Sequence, residues 1–463
     1  MIYDDEVKTE RATPVNAPLF KANWKRPFKN AGRLMVGRGI QGVMSLVYMA
    51  LSAKALGVVG FGVLTLVYAS VMTLRNLLGF RSWQMIMSYG AQALNRMDGP
   101  HMKRLVNFAL LIEASAGIIG AVLLCLFAEP VLNLFAIPLE YTQMVQLFSV
   151  YLFLWIVSDV GLGVLRLYDR HDLISWQLTV EPTVRLVGSA WFFYHSGNVW
   201  DFLWVWLVAG LISKTALIII GARTLTKELA KLQTGETSKA KRLKLKDIYR
   251  EPEKGVWRYA WGTYAQSALT TNFAPMFIAT QLGPAGAGIW RVAQRFIAAV
   301  SHPVGKLLVP VIYTDMSWLH ASGNSKGRTK MIVRTGAIAG GVTLAMVAVL
   351  VFTGEWLIVK VVGPDFLEAY DVMMVLALTP IISAFTFGVA PMLMTAGRVW
   401  SVTATRIVVM SVFFASIIPL VQMFGVVGAA IATVITSALS AVLLLYIGRD
   451  LIKEGRKPKA KKA

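Results

Sequence analysis

Acidic residues are scarce in this chain. Its 463 residues include 25 Asp and Glu against 46 Lys and Arg, and only 15% are charged while 56% are hydrophobic. That balance lies outside the usual range of a soluble domain of this length. Thiols and imidazoles are scarcer still. The one cysteine, Cys125, excludes an intramolecular disulfide and a thiolate metal site, and the five His are scattered without metal-ligand spacing. No GxxxxGK[ST] sequence occurs, so no P-loop nucleotide site is expected. Residues 1–32 open with Asp4, Asp5 and Glu6, stay polar and basic, and have no apolar core. They are expected to be a cytoplasmic tail rather than a signal peptide. Long outward loops are missing too. The longest, near 354–371, is too short for the acid- or His-bearing domain that membrane enzymes acting on lipid-linked sugars usually need. The expectation is a non-enzyme without metal or cofactor.

Apolar sequence is what the chain has in abundance. A membrane-spanning helix needs about 20 predominantly apolar residues. Twelve such runs lie near 34–54, 61–80, 105–128, 143–165, 173–195, 203–221, 256–280, 285–312, 331–353, 372–396, 400–420 and 425–448. They predict an all-α integral membrane protein of twelve transmembrane helices.

The basic charge follows these spans. Eight Lys and Arg fall within them and two, Lys54 and Lys360, fall on one side; the other 36 collect on the opposite side. Seven acids, among them Glu129, Asp201 and Glu355, share the side of Lys54. By the positive-inside rule both termini are cytoplasmic. The charge therefore orients the protein in a membrane, and nucleic acid is not an expected partner.

A duplication organises the spans. Leu56-Gly-Val-Val-Gly-Phe-Gly62 returns as Leu282-Gly-Pro-Ala-Gly-Ala-Gly288, and the basic and acidic landmarks that follow recur at nearly the same offset. Six helices per copy predict two lobes in parallel orientation around a central cavity. The expected organisation is an N-lobe at 33–221, a basic connector at 222–255, a C-lobe at 256–450 and a basic tail at 451–463. The connector reads as a solvated linker or as a segment lying on anionic lipid.

Charges inside the spans are expensive unless they meet a partner or a cavity. Glu181 and Arg185, four apart on one helix, are expected to neutralise each other. Arg75, Lys214 and Arg406 fit either snorkelling to an interface or a functional role. On the eighth span Arg291, Arg295, His302 and Lys306 fall within about 60° of arc over roughly 22 Å, too long a stripe for snorkelling at every depth. Its alternative explanation is anchoring by Lys306 with the arginines paired to Asp159 or Glu113. The first span turns Arg38, Gln41, Ser45, Tyr48 and Ser52 to one side, and the seventh does so with Tyr259, Thr263, Gln266 and Thr270. A shared cavity with surplus Arg suits an anion, since guanidinium matches phosphate with forked, charge-assisted hydrogen bonds.

The chain resembles the MOP exporter superfamily, and within it the polysaccharide-type flippases of the Wzx kind. The resemblance rests on Ala53-Lys-Ala-Leu-Gly-Val-Val-Gly-Phe-Gly62, Gly163-Val-Leu-Arg-Leu-Tyr-Asp-Arg170, Val362-Gly-Pro-Asp-Phe-Leu-Glu-Ala-Tyr370 and Gly425-Val-Val-Gly-Ala-Ala-Ile-Ala432. It implies a bacterial inner-membrane protein that moves polyprenyl-pyrophosphate-linked oligosaccharides for surface polysaccharide synthesis. The family works by alternating access around a cationic cavity. Arg38, Arg75, Arg291 and Arg295 occupy the helices whose arginines carry that role in related flippases. Together with His302, Lys306, Gln41, Tyr48 and Gln266 they form the expected pyrophosphate and sugar site. Asp159 and Glu113 are the candidates for coupling to a Na+ or H+ gradient. Two alternatives stay open: a MATE-type cation-coupled exporter, and a non-transporting subunit of a polysaccharide secretion complex whose connector docks other assembly proteins.

Overall fold

In a bilayer no water satisfies the backbone, so each spanning segment must close its hydrogen bonds internally. The computed structural model describes residues 25–96, 98–233, 256–268, 273–321, 325–395 and 398–454, and every regular element among them is helical. The first half comprises α1 (Lys25–Leu78), α2 (Trp83–Asn95), α3 (Gly99–Leu126), α4 (Ala128–Leu134), α5 (Thr142–Leu167), α6 (His171–Tyr194) and α7 (Val199–Gln233). The second comprises α8 (Val256–Ala268), α9 (Ala274–Ala321), α10 (Ser325–Leu357), α11 (Glu368–Leu376), α12 (Leu378–Phe385), α13 (Val389–Thr395) and α14 (Val399–Glu454). Most of the expected connector and basic tail lies outside the described residues.

Among the described residues seven helical stretches are long and apolar enough to cross a membrane, and two of them, of 53 and 52 residues, are long enough to cross twice. The doubling has a local cause. α1, α9 and α14 each bend at a glycine with left-handed backbone, Gly57 (φ 64°), Gly283 (φ 66°) and Gly425 (φ 59°). Only glycine holds that conformation without a Cβ penalty. α1 thus carries the first two expected spans and α14 the last two. The expected seventh span is split between α8 and the start of α9. Large apolar side chains are exposed along the outer surface, Phe352 by 87% and Trp400 by 83% among many others, as expected of a surface that meets lipid.

The two motif copies do more than bend their helices. They meet. A Cβ built on Gly62 would fall inside the carbonyl group of Pro284, and one on Gly288 would stand 2.7 Å from the carbonyl oxygen of Val58. Val58 and Pro284 hold the same place in their respective motifs, so the contact is self-complementary, as a two-fold interface requires. Around this crossing, Lys54 Nζ donates to the carbonyl of Lys360 at 2.8 Å, and Phe61 packs edge-on against Phe366 with centroids 5.9 Å apart. At this end of the bundle the halves are sealed backbone to backbone.

Candidate anion site between the lobes

Along α5, Tyr151, Trp155 and Asp159 recur every four residues and so share one face. That face meets α1, α6 and α7 in a network of aromatic rings and ions. Arg75 of α1 donates from Nη2 to both carboxylate oxygens of Asp159, at 2.9 and 2.7 Å. The side chains are 13% and 6% exposed, so the pair is largely desolvated. Glu181 of α6 takes Arg185 at 2.6 Å and Lys214 of α7 at 3.1 Å. The pairing of Glu181 with Arg185 follows from their helical spacing; Lys214 joins from 33 residues away.

Aromatic faces cover the same cations. The Arg185 guanidinium lies over Trp206 at 4.4 Å and Tyr68 at 4.8 Å, and it donates to the Tyr48 hydroxyl at 3.4 Å. Trp155 carries Lys214 at 5.0 Å and Arg75 at 5.5 Å, and Tyr68 stacks on it at 6.0 Å. Cations held over ring faces in a dry setting interact favourably by about 2 kcal/mol or more. Sequence spacing missed Tyr68, Trp206 and the Lys214 link, because partner choice between helices depends on how each is rotated. The four-residue repeat in α5 was the one available signal.

Glu113 has a different task. Fully buried on α3, it accepts the backbone N–H of Phe80 at 3.2 Å and of Ser82 at 2.8 Å. These groups belong to the break between α1 and α2, where Arg81 takes a left-handed φ of 53°. Helix starts leave N–H groups without intrahelical partners, and a carboxylate there is favoured by hydrogen bonding and by the helix dipole. Both candidate coupling acids are therefore engaged, Asp159 by Arg75 and Glu113 by backbone.

Arg291 and Arg295 of α9 are half-buried and face the first half of the chain. Arg291 lies within electrostatic reach of Tyr48, Tyr68, Arg185 and Arg295, and Arg295 within reach of Tyr48. The polar contact of Arg291 is with Gln294 Oε1 of its own helix at 3.5 Å. Among the described residues neither arginine has an acid within ion-pair distance, so the expected alternative of pairing with Asp159 or Glu113 is not what the structure contains. Gln41 is half-buried one turn before Ser45, whose hydroxyl donates to its carbonyl. The side chains of Arg38, Gln266, His302 and Lys306 lie outside the described residues. The structure thus brings Tyr48, Arg291 and Arg295 together, with Arg75 reached through the Tyr68–Trp155 stack. Tyr259, expected on the cavity side of the seventh span, turns to α2, where Ser88 Oγ donates to its hydroxyl at 3.0 Å. At the end opposite the glycine seam, in the loop before α6, Arg170 donates from Nε and Nη2 to Asp172, both at 3.1 Å. These bonds hold the Asp172 carboxyl below its usual range.

Several known proteins resemble this chain in sequence or in fold. The inner membrane protein YghQ of Escherichia coli (strain K12) is 26% identical over 355 residues, covering 74% of this chain and 95% of its own. A multidrug resistance MATE family transporter of the MOP superfamily, solved in an inward-facing conformation, superposes with a TM-score of 0.71 at 14% identity, over 92% of this chain and 100% of that one. The lipid II flippase MurJ, in an inward closed conformation, gives 0.64 at 12% identity, over 91% and 89% of the two chains. At such identities the structural likeness establishes the fold, the two-lobe all-α membrane bundle expected from the duplication. Residues 28–313 match the family model described as polysaccharide biosynthesis protein. The chain is a multi-pass membrane protein that belongs to the polysaccharide biosynthesis protein family.

Proposed function

We propose that this protein is an inner-membrane flippase that carries polyprenyl-pyrophosphate-linked oligosaccharides to the outer leaflet for surface polysaccharide assembly. One observation carries the reading. Every described acid in the interior network is already engaged, while Arg291 and Arg295 stand at the lobe interface with no counter-charge among the described residues. Leaving a charge inside a membrane protein without a partner is costly, and a bound pyrophosphate supplies the missing one. Arginine suits that ligand because its planar fork donates two parallel hydrogen bonds to phosphate oxygens.

In this cycle the glycine seam closes the outward end while the opposite, Lys/Arg-rich end admits the headgroup from the cytoplasm. Arg291 and Arg295 hold the pyrophosphate, with Arg38 contributing from α1, and the polyprenyl chain stays in lipid. Separation of the two motif copies then opens the outward side, and the carrier works without covalent chemistry. The membrane potential or an ion gradient supplies direction. A cation exporter would instead need free carboxylates in the interior, and Asp159 and Glu113 are both occupied.

The test is depletion of the protein in its host, followed by mass and leaflet analysis of lipid-linked oligosaccharides. Accumulation confined to the cytoplasmic leaflet, restored by the wild-type chain but not by Arg291→Ala/Arg295→Ala at equal membrane levels, is the expected result. Normal leaflet distribution after depletion would discard the reading, and efflux of organic cations would then be measured.

A further inference from the structure

Between α3 and α8 the bundle carries an apolar groove of about 320 Å³, at the lower end of the range for small-molecule pockets of about 300–1,000 Å³. One wall is the outer face of α3, where Phe108, Ile112, Ser115 and Ile119 follow one another along the helix. At ~1.5 Å per residue this wall runs roughly 16 Å, about half the hydrocarbon thickness of a bilayer. Ile119 is 53% exposed, and Ile118, Val122 and Leu126 beside it on α3 are exposed as well, so the groove opens onto an apolar surface of a helix long enough to span the membrane.

The other wall is aromatic and preset. Trp257 of α8 packs edge-on to Phe108 at 5.0 Å, and Trp261 and Tyr264 close on Phe80 at 5.4 and 5.2 Å. Trp261 and Tyr264 also meet each other edge to face at 5.4 Å. These contacts fix the ring orientations, so the concavity does not depend on a ligand to shape it. The inner end is made by Leu78 and Phe80. Leu78 stands one turn beyond Arg75 on α1, so the groove ends one residue layer from the charged network.

We infer that this groove seats a segment of the polyprenyl chain of the lipid-linked cargo while its pyrophosphate occupies the arginine site. The inference rests on the flippase reading above and assigns the part of the substrate which that reading leaves in bulk lipid. Three features favour an isoprenoid over other occupants. The walls offer ring faces and branched aliphatic groups, which suit a methyl-branched, unsaturated chain. The groove faces lipid, where such a chain already resides. It also runs up to the seam between the first half of the chain and α8, so a headgroup inside and a tail outside can be held at once. Anchoring the tail there lowers the entropic cost of positioning the headgroup.

The experiment uses the full chain in lipid nanodiscs and two probes, undecaprenyl pyrophosphate and the short geranyl pyrophosphate. Ser115 is exposed on the groove wall, so Ser115→Trp fills the groove without entering the core. The expected result is roughly tenfold weaker binding of the undecaprenyl probe with binding of the geranyl probe unchanged. A diazirine-bearing polyprenyl pyrophosphate should label peptides spanning 108–119 and 257–264, and undecaprenyl pyrophosphate but not phosphatidylglycerol should compete. Unchanged undecaprenyl binding in Ser115→Trp, or labelling equally displaced by phosphatidylglycerol, would overturn the groove assignment while leaving the flippase reading intact. Wild-type protein that binds neither probe would overturn both.

Discussion

Replacing Gly62 with alanine adds one methyl group at the tightest point of the seam. That Cβ would lie within the Pro284 carbonyl, a backbone group that cannot rotate away, so the lobes must part locally for the residue to fit. Overpacking of this kind costs about 1–3 kcal/mol, which moves the balance against the sealed state by roughly 5- to 150-fold. Gly288→Ala makes the symmetric intrusion from the other lobe but at 2.7 Å, so its effect should have the same sign and be smaller. Gly57→Ala is the control. Its backbone is left-handed but no atom stands within 4 Å of the added Cβ, so it should lower stability by about 1–2 kcal/mol without favouring either state of the seam. The readout is cross-linking of Lys54→Cys to Lys360→Cys by a short bismaleimide in a Cys125→Ser background, since those two lysines mark the seam. Cross-linking should fall in the order wild type, Gly288→Ala, Gly62→Ala, with Gly57→Ala matching wild type. If Gly62→Ala cross-links as wild type does, the seam is not the contact that closes this end.

Asp159→Asn should be among the most destabilising single changes in the first half of the chain. It leaves Arg75 desolvated without its counter-charge, at a cost of about 3–5 kcal/mol, whereas Arg75→Met/Asp159→Leu should recover most of that stability; thermal unfolding in detergent measures both. Glu113→Gln keeps one acceptor for the α2 N-terminus and should cost about 1 kcal/mol, while Glu113→Leu strands two buried N–H groups and should cost roughly 2–4 kcal/mol. The same unfolding assay reads that difference. Glu181→Gln should couple to two partners at once, so combining it with Lys214→Met should be less harmful than the sum of the single changes, which a double-mutant cycle will show.

The fold was legible in the sequence wherever one helix supplied the whole signal. Spans declared themselves by length and hydrophobicity, and the duplicated glycines by their repetition. Glu181–Arg185 could be read because both residues sit on one helix, four apart. The attachment of Lys214 to Glu181 and of Arg75 to Asp159 could not, because each joins two helices whose relative rotation no spacing encodes. A buried acid in an apolar helix reads as functional; Glu113 also completes the hydrogen bonding of a break in its neighbour, and nothing near Glu113 in sequence announces that break. The split of the seventh span was hidden for a related reason: its apolar run continues to 280, while Trp257 and Tyr259 turn α8 onto α2 and α3.

The duplication has been kept at the seam and lost in the interior. Gly57, Gly60 and Gly62 correspond to Gly283, Gly286 and Gly288, and each corresponding pair shares its environment. Gly57 and Gly283 bend the chain, Gly60 and Gly286 press on Leu56 and Leu282, and Gly62 and Gly288 touch the other copy. Carrying the same offset inward breaks the match. Arg291 and Arg295 correspond to Thr65 and Ala69, while Asp159 corresponds to Phe385. A two-fold contact demands that both copies keep the residues that make it, because each glycine receives the backbone of the other. A ligand with a charged head at one end and a chain at the other has no two-fold axis, so a symmetric interior would place half its arginines where no phosphate reaches. Those groups would then be cations without partners, each a charge to be neutralised at several kcal/mol. On the flippase reading proposed above, symmetric walls around an asymmetric site are thus what a carrier of a polar-headed lipid requires. The reasoning has a direct test: Thr65→Arg, which restores the missing counterpart of Arg291, should destabilise the protein and add nothing to pyrophosphate affinity. Tighter pyrophosphate binding in that variant would show that the site uses both lobes equally.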